Sequence, residues 1–281
     1  MIETHAVKVG DMAFTTDLAG PTDGPTVLML HGFPQSRWAW RRQLPALAEA
    51  GFRGVAPDQR GYSPGARPAE TDAYAAANMV ADALGIMDAL DAERFHLIGH
   101  DWGGQIAWMV AAAAPERIKS LAVLSRPHPA AFAAAWKADP EQAGRSRHHS
   151  TLLEDGAAAR IRENDMAAFR TMFERQGVGA EDAEAYCKAL GAPGALEAAI
   201  QWYRAAAGAL RAADFPAIAT PTLYLWGDAD ATVGRAAAEA TGGFVTADYR
   251  FEVVPGAGHF LTDQVPATVN RTILAHLRAH A

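Results

Sequence analysis

The chain has 281 residues, half of them hydrophobic by count (50%), and a formal net charge of −7 at pH 7. This length is enough to bury the core of one large α/β domain, or of a core that carries an inserted subdomain. The acidic balance argues against nucleic-acid binding, which needs clustered Lys and Arg, and no apolar run is long enough to span a membrane.

The first part of the sequence alternates between strand and helix patterns. Residues 7–14 are predicted to form a strand, and the apolar runs TVLML, FRGVAP, FHLIGH and IKSLAVL predict further strands. Residues 77–91 carry apolar side chains at helical spacing, and GQIAWMVAAAAP predicts another helix that Pro115 ends. This alternation is typical of a parallel sheet with helices on its faces.

The pattern changes from about residue 127 to residue 216, where Ala-rich helices follow one another without a strand signal. Strands resume at TPTLYLWGD and YRFEVVPG, and a last amphipathic helix follows. We therefore predict an α/β fold whose mostly parallel central sheet is flanked by helices and carries an inserted helical cap. Residues 1–126 and 217–281 would form the core, and residues 127–216 the cap.

A carboxylate follows the strand FHLIGH at the point where a helix is predicted to begin. The stretch GHDWG has the strand–turn–helix context of a nucleophile elbow, with Asp101 in the place that serine usually occupies. Its glycines suit a tight turn in which neighbouring backbone approaches closely. The motif alone is weak, because Asp101 could instead cap the helix that begins near Gly103.

Three other stretches, each directly after a predicted strand, favour the catalytic interpretation. HGFP supplies Phe33, whose backbone N–H would form an oxyanion hole together with that of Trp102. WGDADATV supplies Asp230, with Asp228 as a competitor, and GAGHF supplies His259. Nucleophile, acid and histidine follow one another in the order of the α/β-hydrolase fold, and ligands of such sheets bind at the carboxyl ends of the strands.

With these motifs the chain resembles an α/β hydrolase of the epoxide hydrolase group over essentially its whole length. HGFP, GHDWGG, a helical cap after the strand that ends near Ser125, QWYR and GAGHF occur in that family in this order. The resemblance implies that Tyr203 of QWYR donates a hydrogen bond to the epoxide oxygen. Leu196 and Ile200 share its helical face, so the phenol is expected on the buried side, where a core tyrosine is the alternative.

The second cap donor of that family is commonly a tyrosine, and here the sequence departs from the pattern. Without gaps, RSRHHSTLLEDG has His148 at that position, and His149 is the competitor. In this respect the chain is similar to a subset of epoxide hydrolases that use a His/Tyr pair. An imidazole N–H can donate in place of a phenol, although two solvated histidines in a polar loop are the other interpretation.

An aspartate nucleophile selects a particular chemistry. Its pKa is ordinarily about 4, so it is already an anion near neutral pH, whereas serine must first lose a proton. Asp101 would attack a saturated carbon and form an alkyl ester, which water activated by His259 and Asp230 would hydrolyse. An epoxide would become a vicinal diol, and no cofactor or metal is implied.

Two other functions stay open at this point. Haloalkane dehalogenases share the aspartate elbow and the following Trp, but commonly have a polar halide-binding residue where this chain has Phe33. Phe33 and Tyr203 therefore favour an epoxide. Fluoroacetate dehalogenases carry arginines around the nucleophile, and DWGGQ has none. A non-catalytic ligand-binding protein of this fold would have no need for a water-activating histidine.

The remaining expectations concern the pocket, the partners and the location. His149, Trp202, Phe132 and Trp136 are candidates to line a hydrophobic pocket, although aromatics at helical spacing are more often cap core. We expect a small hydrophobic epoxide and water as partners, neither nucleic acid nor membrane, and we allow a homodimer. The single cysteine, Cys187, excludes an intrachain disulfide, and the first residues do not resemble a secretory signal, so a cytoplasmic location is expected.

Overall fold

A computed structural model describes residues 1–206 and 214–281. The strands are β1 (Ile2–Val9), β2 (Met12–Ala19), β3 (Thr26–Leu30), β4 (Arg53–Pro57), β5 (Phe95–His100), β6 (Ile118–Leu124), β7 (Thr222–Gly227) and β8 (Tyr249–Val254). They form one eight-stranded sheet with the order β1-β2-β4-β3-β5-β6-β7-β8. The pairs β1–β2 and β2–β4 are antiparallel, and all the other neighbouring strands are parallel.

Helices flank this sheet, and several of them follow one another in the described residues after β6. They are α1 (Gln43–Glu49), α2 (Ala76–Ala89), α3 (Trp102–Ala113), α4 (Pro129–Ala138), α5 (Pro140–Arg145), α6 (His148–Leu153), α7 (Ala157–Arg175), α8 (Ala180–Gly191), α9 (Ala195–Ala205), α10 (Arg235–Ala240), α11 (Leu261–Gln264) and α12 (Pro266–Ala279). The predicted fold class, a mostly parallel sheet flanked by helices, is confirmed. The predicted strand over residues 7–14 is wrong, because a turn with Gly10 at φ 57° separates β1 from β2.

The sheet is covered on both faces, as the apolar runs predicted. Along β3, Val27 and Met29 belong to the cluster that includes Leu44 of α1 and Ile273 of α12. Leu28 and Leu30 point to the opposite face, where they join the cluster that includes α2, α3 and the helices after β6. Full burial of such a side chain contributes roughly 1.5–3 kcal/mol, so both layers hold the sheet rigid.

Between β6 and β7 the described residues form α4 to α9, in agreement with the helical interruption in the sequence. The division into a core and a cap of residues 127–216 stays a prediction, and residues 207–213 of that range lie outside the described residues. No helix in the described part of the chain is long and apolar enough to cross a membrane.

Candidate active site

The turn after β5 holds Asp101 in an unusual backbone conformation. Its φ of 50° and ψ of −118° are strained for a residue with a side chain, and such strain is concentrated at functional sites. A Cβ at Gly103 would lie 2.0 Å from the carbonyl oxygen of Leu30, so only glycine allows α3 to approach β3 this closely. The Asp101 side chain makes no N-cap hydrogen bond to the second or third N–H of α3, which argues against the alternative of a simple helix cap.

Two backbone N–H groups point at the Asp101 carboxylate. The N–H of Phe33 donates to Oδ1 over 3.0 Å, and the backbone N–H of Trp102 also hydrogen-bonds to the carboxylate. Gly32 makes this approach possible, because a Cβ there would lie 2.4 Å from the Cβ of Asp101. The two predicted oxyanion-hole donors thus converge on one carboxylate.

His259 lies between two carboxylates. Its Nδ1 is 2.9 Å from Oδ2 of Asp230, and its Nε2 is 3.4 Å from Oδ2 of Asp101. The other oxygen of Asp230 accepts the backbone N–H groups of Thr232 and Val233, which fixes the carboxylate in place. All three side chains are buried. Side chains in such a geometry can act as a nucleophile, a base and an orienting acid.

The two candidate acids after β7 are distinguished by their partners. Asp230 is 1% exposed and faces His259, as described above. Asp228 instead accepts the backbone N–H of Gly256 over 2.7 Å in an exposed loop. Of the two, only Asp230 is hydrogen-bonded to the histidine.

The charges of this group are strongly coupled. Burial disfavours the charged ring of His259, but Asp230 and Asp101 outweigh burial and raise its pKa to about 10. Burial also disfavours the Asp101 anion, yet contacts with His259, His100 and the N–H of Trp102 hold its pKa well below the usual range. Asp101 is therefore an anion over the whole neutral range.

The backbone of His259 is held by two residues that sequence reasoning did not single out for this role. Nε2 of His100 and Oγ of Ser125 each donate to the carbonyl oxygen of His259 over 2.8 Å. Burial lowers the pKa of His100 to about 4, so its ring is a neutral donor. Both residues stand at the carboxyl ends of strands, β5 and β6, and that position was the available signal.

A cavity of about 370 Å³ lies between the strand ends and the helices after β6. Residues of both regions line it: Phe33, Pro34, Asp101, Arg145, His148, Thr151, Leu152, Ile161, Phe169, Met172, Gln176, Tyr203, Ala231, Thr232, His259 and Phe260. It therefore brings the carboxylate and imidazole of the core together with a phenol and an imidazole from the predicted cap.

Tyr203 lies on α9 with its side chain 3% exposed. Leu196 and Ile200 are buried on the same face, as the helical spacing predicted. The phenol ring packs edge-on against Phe33, with centroids 5.1 Å apart, and against Trp102. Burial, and next the charge of Asp101, raise the pKa of Tyr203 well above its ordinary value, so its O–H stays a donor.

The structure separates the two histidines of α6. His148 lines the cavity, and its Nδ1 lies 3.1 Å from the backbone carbonyl oxygen of Arg145. A carbonyl only accepts, so Nδ1 carries a proton, and burial lowers the pKa of the ring below 6.5. His149 instead packs against Trp136 and Tyr203, with ring centroids 5.0 Å from each.

Four residues predicted to line the pocket are absent from the described lining: His149, Phe132, Trp136 and Trp202. The indole N–H of Trp202 donates to the backbone carbonyl of Arg60 over 2.7 Å, which ties α9 to the core. Phe132 is fully buried beneath the guanidinium of Arg126, 4.1 Å away. Trp136 packs edge-on against Phe132 and His149. These aromatics serve packing, and the apolar wall comes instead from α7, through Ile161, Phe169 and Met172.

Metal binding finds no support in the described part of the chain. Among residues 1–206 and 214–281, no group of three or more His, Cys, Asp or Glu side chains could hold a metal ion. Cys187 is buried away from the cavity lining, and burial raises the pKa of its thiol.

Comparisons with known proteins agree with this arrangement. A family model described as alpha/beta hydrolase fold matches residues 25–264. The chain is 34% identical to the AB hydrolase superfamily protein YfhM of Bacillus subtilis, over 99% of this chain and 98% of that protein. It is also 34% identical to epoxide hydrolase 4 of Mus musculus, over 97% of this chain and 78% of that protein.

A solved structure extends the likeness to three dimensions. One of a set of epoxide hydrolases from metagenomes of hot environments superposes with a TM-score of 0.86 at 26% identity. The superposition covers 99% of both chains. The resemblance that the motifs predicted is therefore confirmed over the whole length.

Proposed function

This chain belongs to the alpha/beta hydrolase fold family, and from that premise we propose that it is an epoxide hydrolase that forms a covalent ester on Asp101. The observation that carries the proposal is the meeting of four groups in one cavity. Asp101 and His259 approach it from the strand ends, and Tyr203 and His148 approach it from α9 and α6. A nucleophile faces two oxygen-binding groups, which is the arrangement that ring opening requires.

In the first step, Oδ2 of Asp101 attacks a carbon of the epoxide and the carbon–oxygen bond of the ring breaks. The other carboxylate oxygen stays hydrogen-bonded to the N–H of Phe33. The leaving oxygen becomes an alkoxide, which Tyr203 stabilises by a hydrogen bond and proton donation, assisted by His148 when its ring is protonated. The raised pKa of Tyr203 keeps its proton available for this purpose.

In the second step, His259 removes a proton from a water that attacks Cγ of Asp101. Although burial disfavours the charged ring, Asp230 and Asp101 raise its pKa to about 10, so the free enzyme holds it protonated. Esterification neutralises Asp101 and removes its share of that effect, so the pKa of His259 falls when a base is needed. His259 must lose its proton before it can act as a base, and the alkoxide gains one proton in the same turnover, so the protons balance.

The tetrahedral intermediate on Asp101 carries its negative charge on Oδ1. The N–H groups of Phe33 and Trp102 already bind this carboxylate and are in position to stabilise the oxyanion. Collapse of the intermediate breaks the bond between Cγ and the alkoxy oxygen, which takes the proton of the hydroxyl that came from water, so that the diol leaves and the carboxylate is restored. Asp230 holds His259 in the required tautomer through the contact at Nδ1.

The proposal also names the kind of substrate. Phe33 and Phe260 of the core and the apolar side chains of α7 surround the carboxylate, which supports a small hydrophobic epoxide. Dehalogenation is the second candidate because the same carboxylate could displace a halide. The phenyl ring of Phe33 offers no halide donor, and Tyr203 in the cavity favours an epoxide oxygen as the leaving group. A cytoplasmic location and a homodimer stay predictions from the sequence.

Parallel incubations with a styrene-type epoxide and a bromoalkane test the proposal. We expect diol formation without bromide release; bromide release would favour dehalogenation, and inactivity of the folded protein on a broad epoxide panel would contradict the proposal. A single turnover in ¹⁸O-labelled water tests the covalent step. The label should enter the Asp101 side chain, because water attacks the carbonyl carbon of the ester.

A further inference from the structure

Two side chains of α5 form hydrogen bonds with the segment that carries the acid Asp230. We propose that Gln142 and Arg145 are positioning residues for residues 230–234, so that docking of α5 on the core determines how well His259 acts as a base. This inference rests on the proposed function, because it assigns the positioning of Asp230 by α5 to the ester-hydrolysis step of that reaction.

The segment after β7 satisfies only part of its own hydrogen bonds. Oδ1 of Asp230 accepts the N–H groups of Thr232 and Val233, which closes the turn from within. The carbonyl oxygens of Asp230 and Thr232 and the N–H of Gly234 point away from this turn and find their partners on α5. Buried peptide groups need partners, so the segment depends on α5 for its geometry.

Gln142 supplies two of these partners with a single amide. Its Nε2 donates to the carbonyl of Thr232 over 3.0 Å, and its Oε1 accepts the N–H of Gly234 over 2.8 Å. The side chain is completely buried, and Ser146 accepts a further hydrogen bond from Nε2. The amide therefore pairs with the segment much as a neighbouring strand would.

Arg145 forms hydrogen bonds with both Asp230 and His148. Its guanidinium donates to the carbonyl oxygen of Asp230, and its own backbone carbonyl accepts the Nδ1 proton of His148. Glu141 holds the other end of the guanidinium by an i,i+4 ion pair. The side chain of Arg145 thus holds the segment of the acid, whereas its backbone holds the first-step donor, so a side-chain substitution acts on the acid alone.

The contacts of Gln142 and Arg145 position the acid Asp230 and do not involve the nucleophile Asp101. Asp101 is held by Phe33 and Trp102. In the described part of the chain, neither of these two residues forms a hydrogen bond with α5. Loss of the Gln142 amide would leave the groups of Thr232 and Gly234 without partners and let the segment drift. Small errors in the placement of a catalytic group are costly, so ester hydrolysis should suffer and alkylation should not.

The test is Gln142→Met, which keeps the length of the side chain and removes the amide, with Arg145→Met as a second variant. Both leave the backbone carbonyl that binds His148 in place. Formation and decay of the alkyl-enzyme are followed separately by rapid quenching and mass spectrometry. We expect decay to slow at least about tenfold in Gln142→Met and alkylation to change less than about twofold.

A substrate-free measurement accompanies the kinetics: NMR titration of His259, assigned with the variant His259→Gln. A drifting Asp230 supports the charged imidazole less well, so the His259 pKa should fall in Gln142→Met. Arg147→Met is the matched control, because that arginine is exposed, lies outside the cavity lining and should leave both readings unchanged.

Each outcome decides the inference. A selective loss of ester hydrolysis with a lowered His259 pKa supports it, whereas equal losses in both steps, or no change in either, overturn it. If the wild type opens no epoxide, the proposed function fails, and the titration still decides whether α5 positions the acid. Thermal unfolding of each variant shows that a lost step does not reflect a lost fold.

Discussion

Asp101, Asp230 and His259 each follow a strand of one rigid sheet, whereas Tyr203 and His148 project from two separate helices. The core residues contact one another directly, at 2.9 Å and 3.4 Å, and short turns fix each of them. Tyr203 and His148 have ring centroids 6.3 Å apart and take their positions from packing and from one contact with a backbone carbonyl.

Because of this difference, substitutions in the two regions should impair turnover in different ways. In the proposed reaction, removing Asp101 should prevent the ester from forming, whereas removing His259 or Asp230 should make the ester accumulate. The two donors proposed from the predicted cap would share a single task, the stabilisation of one leaving oxygen. Removing Tyr203 should slow ring opening and leave protonated His148 as the other donor.

The largest effect is expected for His259→Gln. Asp101 keeps both oxyanion donors and can still attack, but no base remains for the water, so turnover should fall about 10²–10⁴-fold while the ester accumulates. Mass spectrometry of the Asp101 peptide should find a substrate-sized adduct. Asp228→Asn is the control, because Asp228 bonds to Gly256 and should be dispensable. Absence of an adduct with an accepted substrate would contradict a covalent role for the core region.

A smaller and step-specific loss is expected for Tyr203→Phe. The phenyl ring keeps the packing against Phe33 and Trp102, but the leaving oxygen loses the donor that stays protonated at every pH considered. Ring opening should slow about 10–100-fold, and ester hydrolysis should be unchanged in single-turnover measurements. Equal slowing of both steps would remove Tyr203 from the donor role.

The neighbour of Tyr203 provides a matched control for this variant. Trp202→Phe removes the indole N–H that the carbonyl of Arg60 accepts. The cost should be about 1 kcal/mol in the free energy of unfolding, measured by denaturant titration, with ring opening unaffected. A loss of ring opening as large as that in Tyr203→Phe would indicate that Trp202 contributes to the substrate site after all.

The same contrast explains which parts of the site the sequence made predictable. Asp101 stands directly after an apolar run, Asp230 and His259 lie in the turns after two others, and parallel strands bring such positions to one edge of the sheet. Local pattern and topology were therefore sufficient to bring these three residues together. The hairpin at Gly10 was missed because alternating residues on both sides of a tight turn mimic one longer strand.

Pocket-lining residues were harder to predict, because helical periodicity shows which face is buried but not against what it is buried. Trp202, Phe132 and Trp136 are apolar residues on helices of the predicted cap and are absent from the lining of the cavity, while Phe169 of α7 lines it. The contacts of Gln142 leave no trace in the periodicity either, because a polar residue in a helix is ordinarily read as solvent-exposed. Only the tertiary arrangement shows that its amide is buried against residues 230–234.

The smallest effect concerns pH and separates the two cap donors from each other. Nδ1 of His148 donates to the carbonyl of Arg145, so in the neutral ring Nε2 carries a lone pair and cannot donate to the leaving oxygen. His148 thus helps ring opening only when protonated, and burial lowers its pKa below 6.5. Its contribution is present below that pKa and is lost as pH rises through it, whereas Tyr203 remains protonated throughout.

In the wild type the phenol of Tyr203 hides most of this loss, so alkylation should decline only slightly between about pH 5 and pH 8. In Tyr203→Phe the imidazolium is the remaining donor, and alkylation should fall more steeply over the same range. His148→Gln should show no such decline, because the pKa of Asp101 lies too low for the nucleophile to titrate there. A flat profile in Tyr203→Phe would mean that neutral His148 presents an N–H at Nε2, and the contact with Arg145 would then be broken during catalysis.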